Sequence, residues 1–288
     1  MRMFNNIILF LKRAWVILFQ EHRLPYKFQQ FLIEKLGFDW SVRNIQLEIT
    51  YRCNKLCKNC NRHCNLLELP YLKDTDMSIG QVQKFINQVK QKNIRLKRIQ
   101  ILGGEPLLHP KLNDFISMLF YDLMVPGNLL RIDILTNGII NAEAILEECK
   151  KDVKISEAFI NKKIVVIKSP EGKEKTFMHA LSAPIDLGHK WDICNWPRDC
   201  GVLINTYGYW PGGACGPIAL LFGIPSYARF YFPVKFKKTW PNLKEDICRY
   251  CAAGCCELRD KKTGYVTDSY KKAIHNWITD KFSVPVKF

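Results

Sequence analysis

The chain has 288 residues, enough for one large domain or two of ordinary size at about 150 residues per domain. Hydrophobic residues make up 48% and charged residues 24%, which excludes disordered, collagen-like and coiled-coil chains. Lysine plus arginine (43) exceeds aspartate plus glutamate (27), and the resulting charge of +16 favours an anionic partner without choosing among nucleic acid, acidic lipid and an anionic cofactor. The twelve cysteines cluster: Cys53, Cys57, Cys60 and Cys64 lie together, Cys149 stands alone, and seven fall between Cys194 and Cys256. With no secretory signal in view, tight clusters read as metal ligation in a reducing cytoplasm rather than as a disulfide scaffold.

Residues 7–19 are almost wholly apolar but are split by Lys12 and Arg13, so no uninterrupted run reaches the roughly 18 to 20 residues that span a bilayer. No small-residue cleavage site follows. The pattern predicts an amphipathic helix, with a second around 28–36 after Pro25. It packs on the main domain or, given Lys12, Arg13 and Arg23, makes peripheral contact with a membrane.

From about residue 44 the pattern changes. Ile45, Leu47 and Ile49 alternate with polar residues as in a half-buried strand that runs straight into the first cysteine cluster. Beyond it, Ser78 is placed to cap a helix with Ile79, Val82, Phe85, Ile86 and Val89 on one face. Residues 97–102 form a strand ending in Gly103-Gly104-Glu105-Pro106, and a helix with Leu112, Phe115, Ile116 and Leu119 on one face follows the His109-Pro110 turn. Leu130, Ile132 and Ile134 then lead into Thr136-Asn137-Gly138. This alternation is that of a parallel sheet, whose ligands sit at the carboxyl ends of the strands. Every motif so far lies at such an end.

Cys53-x3-Cys57-x2-Cys60 puts three thiols on one loop, a spacing that lets a single turn wrap three corners of a cubane cluster. Zinc, with Cys64 as a fourth ligand, is the structural alternative. A zinc knuckle, however, needs neither a preceding strand nor a Gly-Gly-Glu-Pro turn at the end of the next one.

The run from Thr50 through Cys60, with Leu102-Gly-Gly-Glu-Pro-Leu107 and Leu135-Thr-Asn-Gly138, resembles the radical S-adenosylmethionine (SAM) superfamily over roughly residues 44–140. The resemblance implies an α/β fold, a partial (β/α)6 TIM-like barrel, in which Cys53, Cys57 and Cys60 bind a 4Fe-4S cluster with one iron open to SAM. It also implies that Gly103, Gly104 and Glu105 contact the amino end of SAM, the glycines by letting backbone approach it without a Cβ in the way. Thr136 and Asn137 become candidates for the ribose side, although Thr-Asn-Gly after a strand is also an ordinary turn. The family usually carries an aromatic residue before the third cysteine, where this chain has Asn59. Cys64 is read as a packed thiol outside the ligand set, and Cys149, on a predicted helix over 142–150, as core.

The later cysteines bracket glycine-rich, aromatic sequence (residues 205–215) that resembles the short twitch form of the SPASM-like auxiliary domain of radical SAM enzymes. That resemblance implies a second 4Fe-4S cluster on Cys200, Cys215, Cys248 and Cys251, with Cys194, Cys255 or Cys256 as rival ligands and zinc as the alternative metal. The chain then divides into N-terminal helices (1–43), a radical SAM core (44–193), the auxiliary-cluster domain (194–260) and a basic C-terminal tail (261–288) with a short helix near 270–277.

The function implied is reductive cleavage of SAM and hydrogen abstraction from a small polyol or sugar-like molecule, or from a peptide, as a two-electron oxidation or tailoring step. An electron donor such as flavodoxin or ferredoxin would serve it. A radical SAM enzyme acting on RNA is a second reading, motivated by the charge. Against it, the lysines are spread along the chain and no RNA-binding module is recognisable. A non-enzymatic zinc or iron-sulfur protein is a third, and it leaves both strand-end motifs unexplained.

Overall fold

The structure is a computed structural model that describes residues 42–55, 57, 60, 62–64, 76–168, 201–224, 227–234, 236–251 and 267–278. The predicted helices at 7–19 and 28–36, and Cys194, Cys200, Cys255 and Cys256, lie outside these residues.

Strands β1 (Asn44–Glu48), β2 (Arg98–Leu102), β3 (Ile132–Thr136), β4 (Ile164–Lys168), β5 (Val202–Asn205) and β6 (Gly208–Trp210) form one sheet in the order β4-β3-β2-β1-β5-β6. The first four are mutually parallel, β5 adds parallel to β1, and β6 returns antiparallel to β5. Among the described strands β5 lies beside β1 rather than β4, with Leu47 opposite Ile204. The sheet therefore runs across the division drawn at residue 193, and the aromatic segment supplies a buried hairpin. Its turn is closed by Asn205, whose Oδ1 accepts from the backbone of Tyr207 at 2.9 Å, and Trp210, Tyr207 and Tyr209 are fully buried.

Local chemistry accounts for the crossover helices. Helix α1 (Ile79–Gln91) starts at Ser78 with a reciprocal capping box: Ser78 Oγ accepts from Gln81 N at 3.2 Å and Gln81 Oε1 from Ser78 N at 2.8 Å. Val82, Phe85, Ile86 and Val89 are buried as their spacing predicts, while Ile79 stays exposed. Helix α2 (Leu112–Leu119), extended by a π turn over Phe120–Met124, buries Leu112, Phe115, Ile116 and Leu119. Helix α3 (Ala142–Lys150) buries Leu146 and Cys149, and α4 (Val153–Ile160) is capped by Asp152, a helix no sequence motif announced.

The strands differ from the half-buried expectation. Ile45, Leu47 and Ile49 are fully buried, yet Gln46, Glu48 and Thr50 between them are buried as well. Alternation puts the apolar set on one face with Ile99, Ile101, Ile132 and Ile134, and the polar set on the other, where Gln46 faces Gln100 and Gln100 faces Asp133. Both sets are buried, so the sheet is covered on both faces. Four further helices complete the described residues: α5 (Cys215–Leu221), α6 (Phe236–Thr239), α7 (Leu243–Asp246) and α8 (Asp268–Ile278). The last covers the predicted C-terminal helix.

Candidate active site

The first cysteine loop grows directly from β1, and the next strand end holds its start. After β1 the backbone keeps pairing with the β2 turn: Ile49 N donates to Leu102 O at 2.9 Å, Gly104 N to Thr50 O at 2.8 Å, and Glu105 N to Arg52 O at 2.8 Å. This latch explains the glycines. A Cβ on Gly103 would stand 2.3 Å from Thr50 O, and one on Gly104 would stand 2.3 Å from Arg52 O. The space a side chain would fill is taken by the cysteine loop itself, so contact between two loops of this chain is what requires glycine at both positions.

Side chains fix the loop from its outer side. Asp76 accepts from Thr50 Oγ1 at 2.6 Å and takes Arg52 as a bidentate partner (Nε 3.1 Å, Nη2 2.6 Å), while Arg52 Nη2 also reaches Leu108 O at 2.8 Å. The sequence reading passed over Asp76 and Arg52. Only the position of Arg52 directly before Cys53 could have signalled them.

Glu105 is fully buried, and both its oxygens are in use: Oε1 accepts from Leu107 N at 3.1 Å and Oε2 from Asn137 N at 2.8 Å. It thus joins the turn after β2 to the turn after β3. Asn137 carries the link onward, its Nδ2 donating to Asn54 Oδ1 at 2.6 Å and standing 4.0 Å from Cys53 Sγ. Thr136 Oγ1 accepts from Gly138 N at 3.2 Å, the ordinary turn chemistry weighed for this motif. Gly103, Gly104, Glu105, Thr136, Asn137 and Cys53 therefore meet at one edge of the sheet.

Cys53, Cys57 and Cys60 are half-buried and none is in a disulfide. Burial pushes the Cys53 and Cys57 thiols up, whereas a hydrogen bond with Cys64 draws Cys60 down to about 7 and pushes Cys64 up. Cys64 is buried beside Cys60, as a packed thiol should be, and Cys149 is buried with its Sγ donating to Leu146 O at 3.2 Å. Of the second cysteine set, Cys215 is the first residue of α5, and Cys248 and Cys251 flank a single 3-10 turn (Cys248–Tyr250) closed by Cys251 N to Cys248 O at 3.0 Å. Among the described residues, no group of three or more His, Cys, Asp or Glu side chains is gathered as ligands of a single metal ion.

Below the cysteine loop lies a buried polar network on the polar face of the sheet. Glu48 accepts from Asn205 Nδ2 at 3.2 Å and from the Tyr51 hydroxyl, and faces Arg62 Nε at 3.7 Å. Burial pushes the Glu48 carboxyl up, against the opposing pull of Arg62, Tyr51 and Asn205. The Asn205 amide also donates to Tyr51 Oη at 3.0 Å and accepts from Trp210 Nε1 at 2.8 Å. Arg62 extends the network to Gln46 Oε1 at 3.2 Å and Gly213 O at 2.6 Å.

Residues 47–156 match the model of the Radical SAM superfamily. They form a radical SAM domain. Around it, the chain is 33% identical over 84 residues (29% of this chain, 25% of the relative) to a GTP 3',8-cyclase of Aliarcobacter butzleri (strain RM4018). It is 30% identical over 94 residues (33% and 29%) to an S-adenosylmethionine-dependent nucleotide dehydratase of Selenomonas ruminantium. The aligned stretch spans less than a third of the length of these curated relatives. A crystal structure of BtrN in complex with AdoMet and 2-DOIA superposes with a TM-score of 0.47 at 17% identity, over 80% of this chain and 100% of that one. Among the described residues no helix is long and apolar enough to cross a membrane. The radical SAM domain thus begins inside β1 and takes in every strand end that carries a first-loop motif.

Proposed function

We propose that the chain is a radical SAM enzyme in which Cys53, Cys57 and Cys60 hold a 4Fe-4S cluster and leave one iron to SAM. The observation that carries this reading is the sheet edge where a loop bearing three thiols, none in a disulfide, is latched by backbone to the Gly-Gly-Glu-Pro turn. The donor set suits the group, since soft thiolates select iron-sulfur clusters and three of them leave one corner to an external ligand. When bound and reduced, the cluster would supply one electron to the sulfonium of SAM, the chemistry that makes SAM a source of a radical able to abstract a substrate hydrogen.

The chain's own residues orient this chemistry. Asp76, Thr50 and Arg52 fix the entry to the loop. Gly103, Gly104 and Glu105 serve the amino end of SAM, and each Glu105 oxygen, with one backbone donor already, retains acceptor capacity. Thr136 and Asn137 serve the ribose side, with Asn137 also steadying Asn54.

Cys200, Cys215, Cys248 and Cys251 would hold the second, closed cluster of a twitch-like domain. It would supply an electron acceptor, which is what a two-electron oxidation of a small polyol or sugar-like molecule, or of a peptide, would require. A cytoplasmic flavodoxin or ferredoxin is the proposed electron donor.

Reduced, anaerobically reconstituted protein should release 5'-deoxyadenosine from SAM, and Cys57→Ala should abolish the release. Persistence of the product in that variant overturns the site assignment. Reconstituted wild type should hold about eight irons, four per cluster. About four with zinc in the remainder removes the second cluster.

A further inference from the structure

Two residues that follow Cys60 reach the two described segments bearing the second cysteine set. Arg62 is buried, and its Nη1 donates to Gly213 O at 2.6 Å, two residues before Cys215, while Nη2 donates to Gln46 Oε1 at 3.2 Å and Nε faces Glu48 at 3.7 Å. The approach is close enough to constrain the partner. A Cβ on Gly213 would stand 2.0 Å from Gln46 Oε1 and 2.9 Å from Arg62 Nη1, so a side chain there would have to displace both of these groups.

His63 makes the second reach. It is buried with φ +50°, a left-handed backbone that residues with a Cβ rarely adopt, and its N donates to Cys60 O at 2.9 Å. That conformation turns its ring towards Tyr270 on α8, with the centroids 5.8 Å apart. Tyr270 donates its hydroxyl to Tyr250 O at 2.5 Å, inside the turn between Cys248 and Cys251. One dipeptide thus contacts the Cys215 turn through a charged hydrogen bond, and the Cys248–Cys251 turn through one aromatic residue.

Resting on the functional reading above, we infer that Arg62 and His63 are positioning residues that couple the three-cysteine loop to the Cys215 and Cys248–Cys251 segments, so that loading the first site with a cluster orders the second. The physical ground is that the guanidinium holds two elements at once, β1 through a hydrogen bond to Gln46 and the ion pair with Glu48, and the 213 turn through Gly213 O, and cannot keep both if the cysteine loop moves. A lysine is too flexible and has too few fixed donors to reproduce this arrangement, but it preserves the charge opposite Glu48.

The test uses the full chain carrying Cys248→Ala and Cys251→Ala, which removes ligands of the second site only. Amide exchange is followed at residues 212–216, with and without anaerobic loading by iron and sulfide, in this background and with Arg62→Lys added. In the metal-free protein Arg62→Lys should speed exchange at 212–216 about tenfold, the weight of one charge-assisted hydrogen bond, whereas Arg52→Lys on the outer side of the loop should not. Loading should slow exchange at 212–216 when Arg62 is present, and this response should vanish in Arg62→Lys. The electron paramagnetic resonance signal of the reduced first cluster should still shift on adding SAM in that variant. Unchanged exchange in the metal-free variant, or a loading response that survives Arg62→Lys, overturns the coupling. Failure to take up iron with Cys53, Cys57 and Cys60 intact counts against the functional reading instead, and the metal-free comparison still decides the coupling.

Discussion

Replacing Glu105 tests whether the radical SAM domain depends on a buried carboxylate as an internal strut. Glu105 is fully buried, and its oxygens take the backbone amides of Leu107 at 3.1 Å and Asn137 at 2.8 Å. In Glu105→Gln the side chain keeps its size, but one oxygen becomes an NH2 that must face one of those amides. That leaves a buried donor unsatisfied, at a cost of about 1–3 kcal/mol. Glu105→Ala removes both acceptors, roughly doubling the loss to about 2–6 kcal/mol, a large part of a typical stability of about 5–15 kcal/mol. Glutamine is therefore the informative change. Native-state hydrogen exchange should show one of the two amides opening about 5- to 150-fold faster in Glu105→Gln, with the other nearly unchanged. Both should accelerate in Glu105→Ala. If the two amides exchange as slowly in Glu105→Ala as in wild type, the turns after β2 and β3 are held by something else and the strut is refuted.

Other perturbations act at neighbouring points. Gly104→Ala should destabilise the fold by about 1–3 kcal/mol in urea denaturation and lower iron uptake, because the new Cβ would stand 2.3 Å from Arg52 O and must push the latched loops apart. Asn205→Ala should cost at least about 2 kcal/mol, since this buried amide donates to Glu48 and Tyr51 and accepts from Tyr207 and Trp210. A loss under about 0.5 kcal/mol would show that the network is not cooperative. Burial pushes His109 below its ordinary value near 6.5, and its neutral ring accepts from Lys111 N at 3.0 Å while donating to Met77 O at 3.1 Å. The unfolded chain therefore binds more protons than the folded one as pH falls below about 6.5. The His109 contribution is complete above that pH and is lost below it, so His109→Gln should flatten the acid limb of a stability-against-pH curve. An unaltered limb places the titration elsewhere. Cys149→Ala should leave iron content unchanged and cost about 1 kcal/mol, as expected of a packed thiol; lost iron would make Cys149 part of a site.

Helix α1 was legible from Ser78 and the spacing of its apolar face, and α2 from Leu112, Phe115, Ile116 and Leu119, because capping and periodicity are local properties. The first cysteine loop and the Gly-Gly-Glu-Pro turn were legible for the same reason, each being a short motif at a strand end. The reason for the two glycines was not. Only the pairing of β1 with β2 brings Thr50 O and Arg52 O into the space their side chains would need.

Pairing also decided the rest. By itself the sequence determined an α/β chain with three thiols at the end of its first strand, since alternation and spacing report on neighbours within a few positions. Nothing local announced that Val202–Asn205 would lie beside β1, because a parallel partner is separated by a long connection and leaves no signature of its own. That one placement buries Glu48 against Asn205 and Arg62, buries the hairpin of β5 and β6, and brings the Cys215 turn to the guanidinium that follows the first cysteine loop.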